Sequence, residues 1–85
     1  MRRIVLDGYR LTDCESAQDY LAQMLDAPEY YGKNLDALAD CLGELGEDTE
    51  IVLLHAAGCT LYGERVRRVL RDMSLPDGSY TYTEM

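Results

Sequence analysis

Basic side chains are scarce in this chain, and their scarcity limits its partners. The 85 residues include eight Lys and Arg against sixteen Asp and Glu, which gives a formal net charge of −8 at pH 7. A surface of this charge repels phosphate backbones and anionic lipid surfaces. Nucleic acids and membranes are therefore disfavoured as partners, whereas a basic protein would be attracted at long range and would meet the chain quickly.

Metal-binding side chains are also few. The chain has one histidine, His55, and its three cysteines, Cys14, Cys41 and Cys59, form no closely spaced pair. Structural zinc sites need four such ligands, usually supplied as closely spaced pairs, so we expect neither a metal nor another cofactor. An odd number of scattered cysteines fits reduced thiols and predicts a cytoplasmic protein.

Long apolar runs are absent as well. The apolar run at residues 4–6 is followed at once by Asp7, and it is too short for a signal peptide or a membrane span. The sequence contains no internal repeat, linker or low-complexity segment. Since 47% of the residues are nevertheless apolar, the chain is expected to fold, and its length predicts one domain over residues 1–85.

Apolar periodicity predicts three helices. Thr12 and Glu15 have the spacing of a capping box that opens the first helix, and Pro28 is expected to end it. Asn34 is the predicted N-cap of the second helix. The arginines of the third helix are expected on its solvent side. The predicted buried stripes, all at helical spacing, are Ala17, Tyr20, Leu21, Met24 and Leu25 in the first helix, Leu35, Leu38, Leu42 and Leu45 in the second, and Val66, Val69, Leu70 and Met73 in the third.

Three short segments, residues 4–6, 51–54 and 79–83, predict strands. Residues 51–54 are apolar at every position, as in the central strand of a parallel sheet, whereas Tyr80 and Tyr82 alternate with polar residues as in an edge strand. Helices separate the strands, so parallel pairing through right-handed crossovers is expected. The predicted fold is α/β, with two layers: a three-stranded parallel sheet of order 1-2-3 and helices packed on one face.

The second predicted helix carries a row of acids, Asp36, Asp40 and Glu44, opposite its leucines. Asp36 lies near the helix N-terminus, where a carboxylate gains about 0.3–1 kcal/mol from the helix dipole. Asp40 lies beyond the first turn, and a like charge four residues away costs about 0.2–0.5 kcal/mol. No folding benefit offsets that cost. The pair therefore indicates a binding surface, although a solvated acidic face is the commoner outcome for such residues.

Two tyrosines and a glycine precede this helix. Tyr30 and Tyr31 lie beside a turn in which Gly32 is the residue best suited to a positive φ. Two large rings next to a tight turn cannot easily both be buried. We expect Tyr31 to be partly packed and Tyr30 to be exposed beside the carboxylates, where its ring would suit a binding hot spot.

The segments PEYYG at 28–32 and NLDAL at 34–38, followed by Asp40, resemble the signature of the barstar family. Element order and length also fit that family along the whole chain. The resemblance implies a three-stranded parallel sheet with helices. It further implies a bacterial immunity protein or antitoxin, monomeric when free, that is not an enzyme. Such a protein acts inside the cell by inhibiting a basic extracellular ribonuclease similar to barnase.

The resemblance also implies roles for individual residues. Tyr30 would pack on the catalytic histidine of the ribonuclease, and Asp40, supported by Asp36, would enter its phosphate site. Asp72 matches a further acid that contacts the enzyme, although an exposed salt bridge with Arg68 is an ordinary alternative. The other residues predicted to shape or border this partner-binding surface are Tyr31, Gly32, Asn34, Ala39 and Glu44.

Three positions depart from the family pattern near this surface. Ala39 and Leu45 stand where the family often has a tryptophan, and Lys33 would repel a basic cleft if it pointed inward. The alternative function is therefore a barstar-fold acidic interaction module with a partner other than a ribonuclease. An enzyme in which Asp36 and Asp40 act as acid and base, or hold a divalent cation, is disfavoured because two adjacent carboxylates supply too few ligands.

Overall fold

Helices separate the three strands along the chain, two after the first strand and one after the second. A computed structural model describes residues 2–29, 31–46, 48–74 and 80–85. None of the helices in these ranges is long and apolar enough to cross a membrane. The elements are β1 (Arg2–Asp7), α1 (Cys14–Met24), α2 (Leu35–Gly43), β2 (Thr49–Leu54), α3 (Leu61–Asp72) and β3 (Thr81–Glu84), with short 3₁₀ turns at Gly8–Arg10 and Ala56–Gly58.

The sheet has the order β1-β2-β3, and both pairings are parallel. Ile51 of β2 is opposite Ile4 on one side and Tyr82 on the other. This confirms the predicted three-stranded parallel sheet with its apolar central strand. The third strand begins later than predicted, because Tyr80 forms only an isolated bridge with Ser74; residue 79 lies outside the described residues.

The helices cover one face of the sheet. In β1, Ile4 and Leu6 are buried while Arg3 and Val5 are exposed, so the strand has one core face and one solvent face. This confirms the two-layer α/β fold. From the predicted helix stripes, the buried side chains are Ala17, Leu21, Leu25, Leu38, Leu42, Val66 and Leu70, and those packed more loosely against the core are Tyr20, Met24, Leu35, Leu45, Val69 and Met73.

Both predicted ends of the first helix are wrong. The N-cap position is occupied by Asp13, not Thr12. The hydroxyl of Thr60 donates to the carbonyls of Leu11 and Thr12, and this contact with the start of α3 keeps Thr12 in the preceding loop. At the other end, α1 stops at Met24 and Asp26 takes a left-handed conformation with φ 54°, so the chain has left the helix before Pro28.

One arginine of α3 departs from the predicted solvent-facing pattern. Arg67 is partly buried and pairs with Glu84 at the end of β3 through two hydrogen bonds and with Glu64 at 3.0 Å. The charge-assisted bonds hold the pKa of the Glu84 carboxyl below its ordinary value. Arg65, Arg68 and Arg71 are exposed, as predicted. Glu84 joins the edge strand to the third helix mainly through Arg67, with the guanidinium of Arg71 at 3.9 Å.

Candidate functional site

The start of α2 is fixed by Asn34. Its side-chain oxygen accepts a hydrogen bond from the backbone N–H of Ala37 at 2.7 Å, and its amide group donates to the carbonyl of Gly32 at 3.3 Å. The predicted N-cap is therefore confirmed. Because one side chain bonds both the first helical turn and the preceding loop, the loop and α2 are held together at this point.

The acids of α2 lie on its solvent face. Asp36, Asp40 and Glu44 are all exposed, whereas Leu38 and Leu42 on the opposite side are fully buried. Among the described residues, no side chain forms an ion pair with any of the three acids. Their charge is therefore directed outward, and the helix that carries them is anchored by its buried side.

The loop before α2 differs from the prediction at one position. The left-handed backbone conformation belongs to Lys33, with φ 53°, and not to Gly32. The ammonium group of Lys33 lies 2.8 Å from a carboxylate oxygen of Asp19 on α1, and this hydrogen bond raises the pKa of Lys33 above its ordinary value. The one base of this region is thus paired with α1, away from the acids of α2.

Tyr31 is half-buried, which confirms that this ring is partly packed; Tyr30 lies outside the described residues. The Tyr31 hydroxyl donates to the side-chain oxygen of Gln18. The Gln18 side-chain nitrogen in turn donates to the hydroxyl of Tyr62 on α3 at 2.7 Å. Burial raises the pKa of the Tyr31 phenol well above its ordinary value, so this hydroxyl is a neutral donor at physiological pH.

A small open cavity of about 130 Å³ lies between the loop and α2. Its walls are mostly apolar, and two carboxylates stand among them. The residues that line it are Pro28, Tyr31, Ala37, Asp40, Cys41 and Glu44. The cavity therefore places an apolar recess, of the size of one side chain, directly beside the acidic face.

Cys41 lines this cavity as a free thiol. Burial raises the pKa of the Cys41 thiol, and Glu44 acts in the same direction. The thiol is protonated at neutral pH, as expected for a small packing residue. Within the described ranges, no group of three His, Cys, Asp or Glu side chains is arranged to hold a metal ion.

Ala39 and Asp72, which are also predicted for the partner-binding surface, lie on different helices. Ala39 is partly buried on α2, next to Asp40. Asp72 is exposed at the last residue of α3, and no ion pair joins it to Arg68 in the part of the chain that the structure describes. A Cβ built on Gly43 would lie 3.5 Å from the terminal methyl of Met73, so the Met73 side chain, which follows α3, reaches the end of α2.

Gln18 is a buried residue of this region that was not among the residues predicted from the sequence. Its side chain is completely buried, although glutamine is usually exposed. A signal was present in the sequence, since Gln18 precedes Leu21 by three and Leu25 by seven residues and so falls on the buried stripe of α1.

Comparisons with known proteins show what the sequence is similar to. The family model described as Barstar (barnase inhibitor) matches residues 1–77. A Bacillus subtilis (strain 168) protein named "Putative ribonuclease inhibitor YrdF" is 52% identical over 42 residues, which cover 49% of this chain and 46% of that protein. The matched segment thus spans about half the length of this curated relative.

Proposed function

The chain belongs to the barstar family, and on that basis we propose that it is a cytoplasmic inhibitor of a basic, secreted ribonuclease similar to barnase. The name of the Bacillus subtilis relative describes a ribonuclease inhibitor, which supports the proposal. In this proposal the chain is a monomer when free, uses no cofactor and catalyses no reaction. It protects the cell that makes the ribonuclease by closing the enzyme's active site.

One observation carries the proposal: the carboxylates of Asp36 and Asp40 are exposed, and no ion pair within the described residues holds either of them. They project from a helix whose first turn is capped by Asn34 and whose other face is buried. Since the helix is already ordered, little conformational entropy is lost when the carboxylates meet a partner.

Such carboxylates can imitate the phosphate groups of RNA. We propose that Asp40 enters the anion site of the ribonuclease and bonds its arginines, with Asp36 supporting it from the first turn of α2. Tyr30, which precedes Tyr31 in the sequence, would cover the catalytic histidine. The residues that would shape or border the contact are Tyr31, Gly32, Asn34, Ala39, Glu44 and Asp72.

Mixing the chain with basic secreted ribonucleases and measuring RNA cleavage tests this function. We expect stoichiometric loss of cleavage with the cognate enzyme, because the inhibitor and the substrate would compete for one site. The ribonuclease encoded by the same source cell is the first to test. Tight binding with undiminished cleavage would contradict inhibition and would instead support an acidic interaction module.

Salt dependence gives a second test. The net charge of −8 should accelerate encounter with a basic enzyme, and ions screen such attraction over about 8–10 Å at physiological salt. We expect the association rate constant to fall by about tenfold or more between about 0.05 and 0.5 M NaCl, while the dissociation rate changes much less. Stopped-flow fluorescence measures both rates. An association rate that does not respond to salt would contradict the electrostatic mechanism.

A further inference from the structure

Gln18 links three parts of the molecule through a buried hydrogen-bond relay. Its amide is fully buried, accepts from the hydroxyl of Tyr31 in the loop and donates to the hydroxyl of Tyr62 on α3 at 2.7 Å. No buried side-chain polar atom in the described residues is left without a partner. Each buried polar atom of the relay therefore has a hydrogen-bond partner, and these bonds require particular positions and angles of the groups that form them.

We infer that Gln18 is a positioning residue that sets the placement of the Tyr31 ring, and through it the wall of the cavity beside Asp40; this inference rests on the proposed function. The described residues between α1 and α2, 25–29 and 31–34, form no helix or strand. Besides its packing against the core, Tyr31 is held by a backbone hydrogen bond to the carbonyl of Pro28 at 2.9 Å and by Gln18.

The relay affects binding because Tyr31 forms part of the surface next to the acids. Its ring lines the cavity together with Ala37, Cys41 and Asp40. The hydrophobic effect that holds this half-buried ring against the core has no preferred direction. A hydrogen bond to a buried amide does, so it fixes the depth and rotation of the ring more closely. Without Gln18, the ring and the adjoining loop would take several positions in the free protein, and ordering them would then weaken association.

Replacing Gln18 with methionine tests the inference. Methionine has a similar volume and no amide, so Gln18→Met removes both hydrogen bonds with little change in packing. We expect binding to the cognate ribonuclease to weaken about tenfold or more at a temperature where circular dichroism shows the variant to be folded. The matched control is Ile51→Val, a core change in β2 that also lowers stability but does not touch the relay; its affinity should equal that of the unmodified chain.

A conservative variant separates positioning from general destabilisation. In Gln18→Glu the protonated carboxyl can accept from Tyr31 and donate to Tyr62, and burial would raise its pKa. The ionisable groups that face position 18 are the phenols of Tyr31 and Tyr62. These phenols in turn interact electrostatically with Cys14, Cys41 and Arg65. Relative to the unmodified chain at the same pH, Gln18→Glu should bind equally well at about pH 5.5 and about tenfold more weakly at about pH 8, because the ionised carboxylate cannot donate.

Hydrogen exchange of the Tyr31 amide gives a readout that needs no ribonuclease. We expect this amide to exchange about tenfold faster in Gln18→Met than in the unmodified chain, relative to the Leu6 amide of β1, and to be unchanged in Ile51→Val. Unchanged exchange of Tyr31, or equal affinities of Gln18→Met and Ile51→Val, would overturn the inference. If the unmodified chain binds no ribonuclease, the proposed function fails, while the exchange result still decides whether Gln18 positions the loop.

Discussion

Replacing Asp40 with alanine should weaken binding to the cognate ribonuclease by about 2–5 kcal/mol, which corresponds to a loss of about 30-fold to several thousand-fold in affinity. In the proposed complex the carboxylate meets the arginines of the anion site in a closed interface, and its removal leaves those arginines buried without a partner. The melting temperature should hardly change, because Asp40 is exposed and forms no ion pair among the described residues. Isothermal titration calorimetry and thermal unfolding measure the two effects separately.

Two variants in which an aspartate is replaced by the uncharged asparagine provide the control for this prediction. Asp40→Asn and Asp48→Asn each remove one negative charge, and both side chains are exposed, but Asp48 lies in the turn before β2. Asp40→Asn should lose most of the affinity that Asp40→Ala loses, whereas Asp48→Asn should change the dissociation constant only slightly. Equal losses in the two variants would indicate that overall charge matters and that Asp40 is not an anchor.

Replacing Leu42 with alanine should instead lower the stability of the fold. Leu42 is fully buried on the side of α2 that faces away from the acids, and such a truncation costs about 2–5 kcal/mol because it removes apolar contact and leaves a cavity. A domain of this length has limited stability. We therefore expect the melting temperature to fall by about 10 °C or more, as measured by circular dichroism.

The matched substitution on the exposed face is Glu44→Ala. This side chain is exposed on the same helix, so its removal should change the free energy of unfolding by less than about 0.5 kcal/mol. A Leu42→Ala variant as stable as Glu44→Ala would contradict the assignment of the two faces of α2, and with it the orientation of Asp40 toward solvent.

Features of the fold that depend on local pattern could be predicted from the sequence. The run of apolar residues at 51–54 is the central strand, because a strand with a neighbour at each edge is shielded at most of its positions, and Ile51, Val52 and Leu53 are all buried. Asn34 caps α2 because its short side chain reaches the first free N–H groups. These signals are complete within a few neighbouring residues, and no distant contact overrides them.

Features that depend on contacts between distant residues could not be predicted. Thr12 and Glu15 have the spacing of a capping box, but the carbonyl of Thr12 accepts a hydrogen bond from Thr60. Helical spacing predicts that Arg67 faces solvent, but its guanidinium forms an ion pair with Glu84 of β3. In both cases a partner about 17 to 48 positions away along the chain decides the outcome, and periodicity carries no information about such partners.

The same distinction holds for the candidate site. The exposure of Asp36 and Asp40 follows from helical spacing and could be predicted. The pairing of Lys33 with Asp19 could not, since it depends on how the loop lies against α1. That pairing directs Lys33 toward α1, whereas Lys33 would repel a basic cleft only if it pointed inward. The burial of Gln18 follows from its place on the stripe of α1, but its hydrogen-bond partners, Tyr31 and Tyr62, could not be predicted, because only the fold brings them together.

The most direct measurement of whether Asp40 occupies the place of a substrate phosphate is a competition experiment. The complex with the cognate ribonuclease is titrated with a nucleoside monophosphate that fills the enzyme's phosphate site. We expect the apparent dissociation constant of the chain to rise about tenfold when the nucleotide is present at about ten times its own dissociation constant. An apparent dissociation constant that stays constant at saturating nucleotide would contradict phosphate mimicry, because both ligands would then be bound at once.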